Sequence, residues 1–230
     1  MRMLRVAAML VAGVLACSAA VSTAAAQSAC TDLGGAVGPD GVCRVHAANP
    51  IYNLDMSFPN DYPDQAALTA YLTQARDGFV NVAQMPGSWN LPYQLDAKGT
   101  GYHSGSPTSG TQSVVFEMYQ NVGGVHPQTF YQAFNWDLAK RAPITFNTLF
   151  KPGTKPLDVI YPEVNRYLQK QQGMIDAIPS HDGLDPANYQ NFALTDDSVI
   201  FFFSQGELFA EAAGATQAPV PRAVLAPLLA

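Results

Sequence analysis

Tyr52, Leu54, Met56 and Phe58 alternate with Asn53, Asp55 and Ser57, which predicts a half-buried strand of period two. Pro59 to Pro63 ends it. Asp64 then stands as an N-cap for a helix over 64–83, in which Leu68, Tyr71, Leu72, Ala75, Phe79 and Val82 recur at helical spacing. Met85-Pro86-Gly87-Ser88 breaks that helix. Alternation resumes at Leu91, Tyr93, Leu95 and Ala97, and again at Val114, Phe116, Met118 and Val122, with an exposed Ser/Gly-rich loop from Ser104 to Gly110 between. Gly123-Gly124 turns the chain into a further strand, with Phe130, Phe134 and Trp136 on one face and Tyr131 and Ala133 on the other. Two patterned runs joined by Gly-Gly are a hairpin signal.

Lys151 to Pro156 is rich in Pro, Gly and Lys and divides the chain into lobes 27–150 and 151–230. Beyond it Leu157, Ile160, Tyr161, Val164 and Leu168 share a helical face that Gly173 would close, with Pro162 near the first turn. A polar loop, Ser180 to Asn188, leads to Phe192-Ala193-Leu194, a turn at Asp196-Asp197, and Val199-Ile200-Phe201-Phe202-Phe203. That last run is apolar on both faces, so it predicts a central strand covered on both sides. Pro219 to Arg222 and a short helix close the chain. Antiparallel strand runs with two long helices make the fold class α+β, as one compact unit or two small packed lobes.

The first 26 residues stand apart. Arg2 and Arg5 precede an apolar run from Val6 to Ala16, and Ala24-Ala25-Ala26 offers an A-x-A cleavage site, which together read as a secretory signal. The run is shorter than the roughly 20 apolar residues of a spanning helix. Export follows, with cell-wall association or a lipid anchor on Cys17 as alternatives. Without the signal the chain keeps 10 basic residues against 18 acidic ones, a net charge of −8. A nucleic-acid binder would carry a basic footprint instead. Cys30 and Cys43 are then an even pair in an oxidising compartment, which predicts a structural disulfide worth about 3 kcal/mol by loop closure.

Catalytic motifs are sparse. Neither a G-x-S-x-G elbow nor an HGGG-type loop is present, and Phe202-Phe203-Ser204-Gln205-Gly206 keeps only the second glycine. Ser204, at the end of a buried strand, is a nucleophile candidate from position alone, and an ordinary strand-terminating Ser is the commoner use of that position. His126 sits beside Gly123-Gly124 at a hairpin tip, as a base or a partner contact, against the commoner role of bonding the turn. His46, His103, His126 and His181 have no metal-ligand spacing, and no metal or cofactor is expected. Asp182/Asp185 and Asp196/Asp197 read as turn formers, and Glu207/Glu211 as solvated or capping groups. Of the aromatics, Trp89, Tyr102 and Tyr131 join His126 as candidate partner contacts, while Trp136 reads as core.

Several stretches resemble a known family. Cys30…Cys43 ahead of Pro50-Ile51-Tyr52, then Asp61-Tyr62-Pro63-Asp64-Gln65, Tyr119 to Pro127, Leu184 to Phe192, and Gln205-Gly206-Glu207-Leu208 with Ala212-Ala213-Gly214 resemble the secreted mycobacterial immunogenic proteins of the MPT64 antigen type. The second lobe also resembles the extracellular domain of RsiV-type anti-sigma factors, which bind lysozyme. The resemblance implies an exported antigenic α+β protein without a cofactor, and for some relatives a secreted esterase activity, with no agreed catalytic triad. Two functions follow as expectations: a non-catalytic protein binding a host or cell-wall-associated partner, lysozyme-like among them, and alternatively a carboxylesterase acting on short acyl esters. Neither needs nucleic acid or a membrane span in the mature chain.

Overall fold

The computed structural model describes residues 29–124, 126–172 and 177–230. The expected signal segment, Cys17 and the Gly173 helix stop lie outside the described residues. Strands β1 (Ala36–Val37), β2 (Val42–Ala48), β3 (Tyr52–Pro59), β4 (Tyr93–Ser104), β5 (Thr111–Asn121), β6 (Gln128–Asp137) and β7 (Ala142–Pro143) form a seven-stranded sheet in chain order. Five of its six pairings are antiparallel. The exception is β3 with β4, which run parallel because helix α1 (Gln65–Ala83) carries the chain back before β4 starts. A connection of helical length permits the parallel pairing that a short turn cannot. The sheet is therefore mixed rather than wholly antiparallel, within an α+β fold.

The Asp64 carboxylate caps α1 by accepting the Ala67 N–H at 3.1 Å, as its position predicts. Leu68, Leu72 and Phe79 of the helix bury against Leu54, Met56, Phe58, Leu95, Val114, Phe116 and Met118 from the alternating faces of β3, β4 and β5. Trp136 packs against the same core. Gly99 is required here: a Cβ would stand 2.9 Å from the Phe116 ring and 3.0 Å from Phe58 Cβ. Cys30 and Cys43 are bonded to each other and fully buried, tying the segment before β1 to β2.

A second sheet has the order β10 (Thr216–Pro221), β9 (Ser198–Phe203), β8 (Phe192–Leu194), all antiparallel. Helix α2 (Leu157–Gln172) covers one face, burying Ile160, Val164 and Leu168 with Val199, Phe201 and Phe203. Pro162 lies inside that helix, one turn deeper than its spacing implied. The other face of this sheet, through Phe202 of β9 and Ala193 of β8, meets Val115 on the outer face of the large sheet. The layers therefore run helix, seven strands, three strands, helix, and β9 is covered on both sides. β10 carries Pro219 and Pro221 because it is an edge strand, where a missing N–H costs no ladder bond.

Candidate functional site

Only two residues of β6 pair with β7, so its outer N–H groups between Thr129 and Ala133 face away from any strand. The C-terminal lobe closes this edge with side chains. Asn191 Oδ1 accepts the Ala133 N–H at 3.0 Å, Ser204 Oγ accepts the Tyr131 N–H at 3.2 Å, and Gln205 Oε1 accepts the Thr129 N–H at 3.1 Å. The Gln205 N–H returns a bond to the Thr129 carbonyl at 2.9 Å. Alternate strand positions thus receive three polar side chains, in the manner of a protected sheet edge. Asn191 and Gln205 were missed by sequence reading; both flank buried strands, which is the only trace of their role.

Glu207 completes the arrangement. Its Oε2 accepts the Ser204 N–H at 2.6 Å, and the Ser204 side chain lies near enough to favour the ionised carboxylate. Burial pushes the Glu207 carboxyl above the usual carboxylate range, and the two Ser204 groups pull the other way. A hydroxyl with a half-buried carboxyl held beside it supplies the elementary parts of an activated nucleophile. His126 is not part of it. It is exposed at the β5–β6 hairpin tip, five residues from Tyr131, and has no hydrogen-bond partner among the described residues.

Tyr131 and Tyr102 face the second lobe. Their rings lie 5.2 and 5.9 Å from the Phe202 ring, half-buried between the sheets. Burial first, then the nearby Glu117 charge, pushes the Tyr131 phenol up to about 12 and raises Tyr102 in the same direction. Asp185 accepts the Ala187 N–H within its own turn, whereas Asp196, between β8 and β9, accepts the Gly105 N–H from the loop after β4 and so ties the two sheets together. The segment expected as a loop folds into short helical turns at Ser180–Gly183 and Pro186–Tyr189, and through Leu184 and Pro186 it lines a cleft of about 450 Å³ with Phe150, Lys151 and Lys155. No residue of the β5–β6 hairpin takes part in that cleft. Among the described residues no group of three or more His, Cys, Asp or Glu could hold a metal ion.

Trp89 is 63% exposed and Met85 58%, in the loop that follows α1. The loop lies against the hairpin tip, since a Cβ on Gly123, at φ 73°, would meet the Trp89 carbonyl at 2.7 Å. The Tyr93 N–H bonds the Ile51 carbonyl at 2.9 Å and brings the β2–β3 turn alongside. Five of the seven large apolar side chains exposed among the described residues, Ile51, Val82, Met85, Trp89 and Leu91, belong to this end of the large sheet. Next to it a groove of about 450 Å³ runs between α1 and the sheet, lined by Tyr71, Phe79, Val82, Leu95, Met118 and Phe130 among others.

Over 228 residues the chain is 55% identical to "Esterase Rv3036c" of Mycobacterium tuberculosis, covering 99% of each chain. It is 46% identical over 217 residues to "Immunogenic protein MPT64" of the same organism, covering 94% of this chain and 95% of the relative. The chain belongs to the MPT64 immunogenic-protein family. A family model described as "Protein of unknown function (DUF3298)" matches residues 147–223. Within this MPT64-family chain that stretch carries Asn191, Ser204, Gln205 and Glu207, and so supplies every side chain that closes the β6 edge. A solved DUF3298 family protein (PA4972) of Pseudomonas aeruginosa shares the fold, with a TM-score of 0.57 at 12% identity over 82% of this chain and 94% of the other. No helix among the described residues is long and apolar enough to cross a membrane.

Proposed function

We propose that this protein is an exported hydrolase of carboxylic esters, with Ser204 as nucleophile and Glu207 as the base that takes its proton. The observation that carries the reading is the 55% identity, over 99% of both chains, to a relative named an esterase. The pairing of Ser204 with Glu207 supports it, because burial raises the basicity of the carboxylate that receives the hydroxyl proton. In the reaction the Ser204 oxygen bonds to the ester carbonyl carbon. Glu207 passes the proton to the departing alcohol, and water then releases the acid from the acylated serine.

The test is turnover of p-nitrophenyl acetate together with labelling by a fluorophosphonate, read as intact mass. One stoichiometric adduct, lost with turnover in a folded Ser204→Ala variant, is the expected result. Turnover that survives Ser204→Ala removes this nucleophile. No adduct and no turnover above a heat-denatured control retires ester hydrolysis altogether.

A second reading is a non-catalytic contact protein outside the cell, binding a host or cell-wall-associated protein such as a lysozyme. The exposed Trp89, whose loop lies against the hairpin tip that carries the exposed His126, favours it. Calorimetric titration with lysozyme checks it directly, and a titration without heat above the buffer blank counts against that partner.

A further inference from the structure

The apolar end of the large sheet has an unusual charge pattern. It is built from three chain segments, 45–54, 78–95 and 118–136, and none of them contains an Asp, Glu, Lys or Arg. The charges that precede the second segment, Arg76 and Asp77, are bonded to each other at 2.8 Å. Carboxylates stand beside these segments, Asp96 opposite Tyr119, Glu117 opposite Tyr131 and Asp55 on His46, but the segments themselves offer no Lys or Arg to an anionic headgroup.

The groove beside it has the chemistry of a ligand site. Its volume of about 450 Å³ lies in the usual range for small-molecule pockets, and its lining is apolar apart from the amides of Gln74 and Gln120 and the Tyr71 hydroxyl. Val82 belongs both to the groove and to the exposed apolar set, so the two surfaces are continuous. Phe130, which closes the groove on β6, stands between Thr129 and Tyr131, the residues that Gln205 and Ser204 bond at the lobe seam.

We infer that the groove holds one aliphatic chain of a neutral ester lipid, and that Met85, Trp89 and Leu91 rest against the lipid surface that presents it. Tryptophan favours such an interface because its ring is apolar and its N–H is polar. The ester identity of the occupant rests on the hydrolase reading; the capacity for an aliphatic chain does not. A protein partner would be expected to meet polar and charged groups around an apolar centre, and these three segments lack the charged ones.

Gly78 provides the test. It lines the groove from α1, and a Cβ there meets nothing within 4 Å, so Gly78→Ala leaves the groove open and the longer side chain of Gly78→Leu takes up part of it. The probe is a glycerol alkyl ether ending in pyrene, which is uncharged and cannot be hydrolysed. Wild type and Gly78→Ala should bind it saturably. Gly78→Leu should bind it about tenfold more weakly, the equivalent of roughly two methylene groups left in water. Hydrolysis of p-nitrophenyl laurate should fall relative to that of p-nitrophenyl acetate in Gly78→Leu, and an equal laurate-to-acetate ratio in Gly78→Leu and wild type counts against the groove.

Equal probe affinity in Gly78→Leu, or no saturable binding by wild type, overturns the inference. A dimer abolished by Trp89→Ala would give the surface to a second copy, and a stoichiometric lysozyme complex that displaces the probe would give it to a protein; both also overturn it. Probe binding without turnover of any ester sinks the hydrolase reading and leaves the groove standing, and turnover without probe binding does the reverse.

Discussion

Ser204 and Tyr131 are 73 residues apart in the chain, and the Oγ of one accepts the backbone N–H of the other at 3.2 Å. This bond, with those of Asn191 and Gln205, lets a lobe seam with few apolar side chains hold two layers together. It also means that the hydroxyl proposed as nucleophile has a structural duty. Ser204→Ala should therefore cost about 1–2 kcal/mol of stability, the usual penalty for a half-buried N–H left without its acceptor. Urea unfolding measures it. A loss that size beside complete loss of turnover separates the two roles.

Glu207 gives the fold a pH dependence of known sign. Its carboxyl is raised above the ordinary value of 4.5, so the folded chain holds the proton more tightly than the unfolded one. The associated stability is present in full below pH 4.5 and is lost as the pH climbs through the raised value. Glu207→Gln keeps an oxygen for the Ser204 N–H and removes the titration. Its melting temperature should vary less than that of wild type across the range just above pH 4.5. Parallel curves for the two proteins would contradict this.

Among the described residues five phenols, those of Tyr62, Tyr71, Tyr102, Tyr131 and Tyr189, should resist base. Tyr71 and Tyr131 are pushed up to about 12, chiefly by burial. Stability linked to these neutral phenols is intact below pH 10 and lost as the pH rises from 10 to about 12. Absorbance near 295 nm should show a delayed fraction of tyrosine ionisation, and Tyr131→Phe should shrink it.

Two glycines should respond in opposite directions to the same change. Gly99→Ala forces a methyl group against Phe116 and Phe58 and should destabilise the protein by about 1–3 kcal/mol through overpacking. Gly78→Ala lies in a helix with open space beyond it and should stabilise by about 1 kcal/mol. Denaturant midpoints of the two variants should fall on either side of wild type.

Reduction of the Cys30–Cys43 bond frees a short loop that holds the N-terminal segment on β2. The loss should be about 3 kcal/mol, as loop-closure entropy is returned to the unfolded chain. Melting with and without reductant checks it, with Cys43→Ser as the permanent form.

Local pattern was enough to place α1 and its cap, the alternating strands β3, β4 and β5, the Gly123-Gly124 hairpin and the two-sided burial of β9. Each is a repeat of 3.6 or 2 positions, and burial imposes that period wherever an element meets a core. β1 and β7, two residues each, are too short to show a period, and two longer strands escaped for other physical reasons. β2 buries Cys43 and Val45 and half-buries Ala47, whose small side chains write a faint alternation, and β10 hides behind prolines that only an edge strand tolerates. Which faces and edges meet is a different kind of information. That Tyr102 and Tyr131 turn to Phe202 while Trp89 stays outside, that Ser204 reaches Tyr131 rather than His126, and that three uncharged segments gather at one end all depend on long-range pairing. Residues within a few positions of each other settle periodicity and turns; partners 50 to 90 positions away are chosen only when the sheets dock and their apolar faces leave water together.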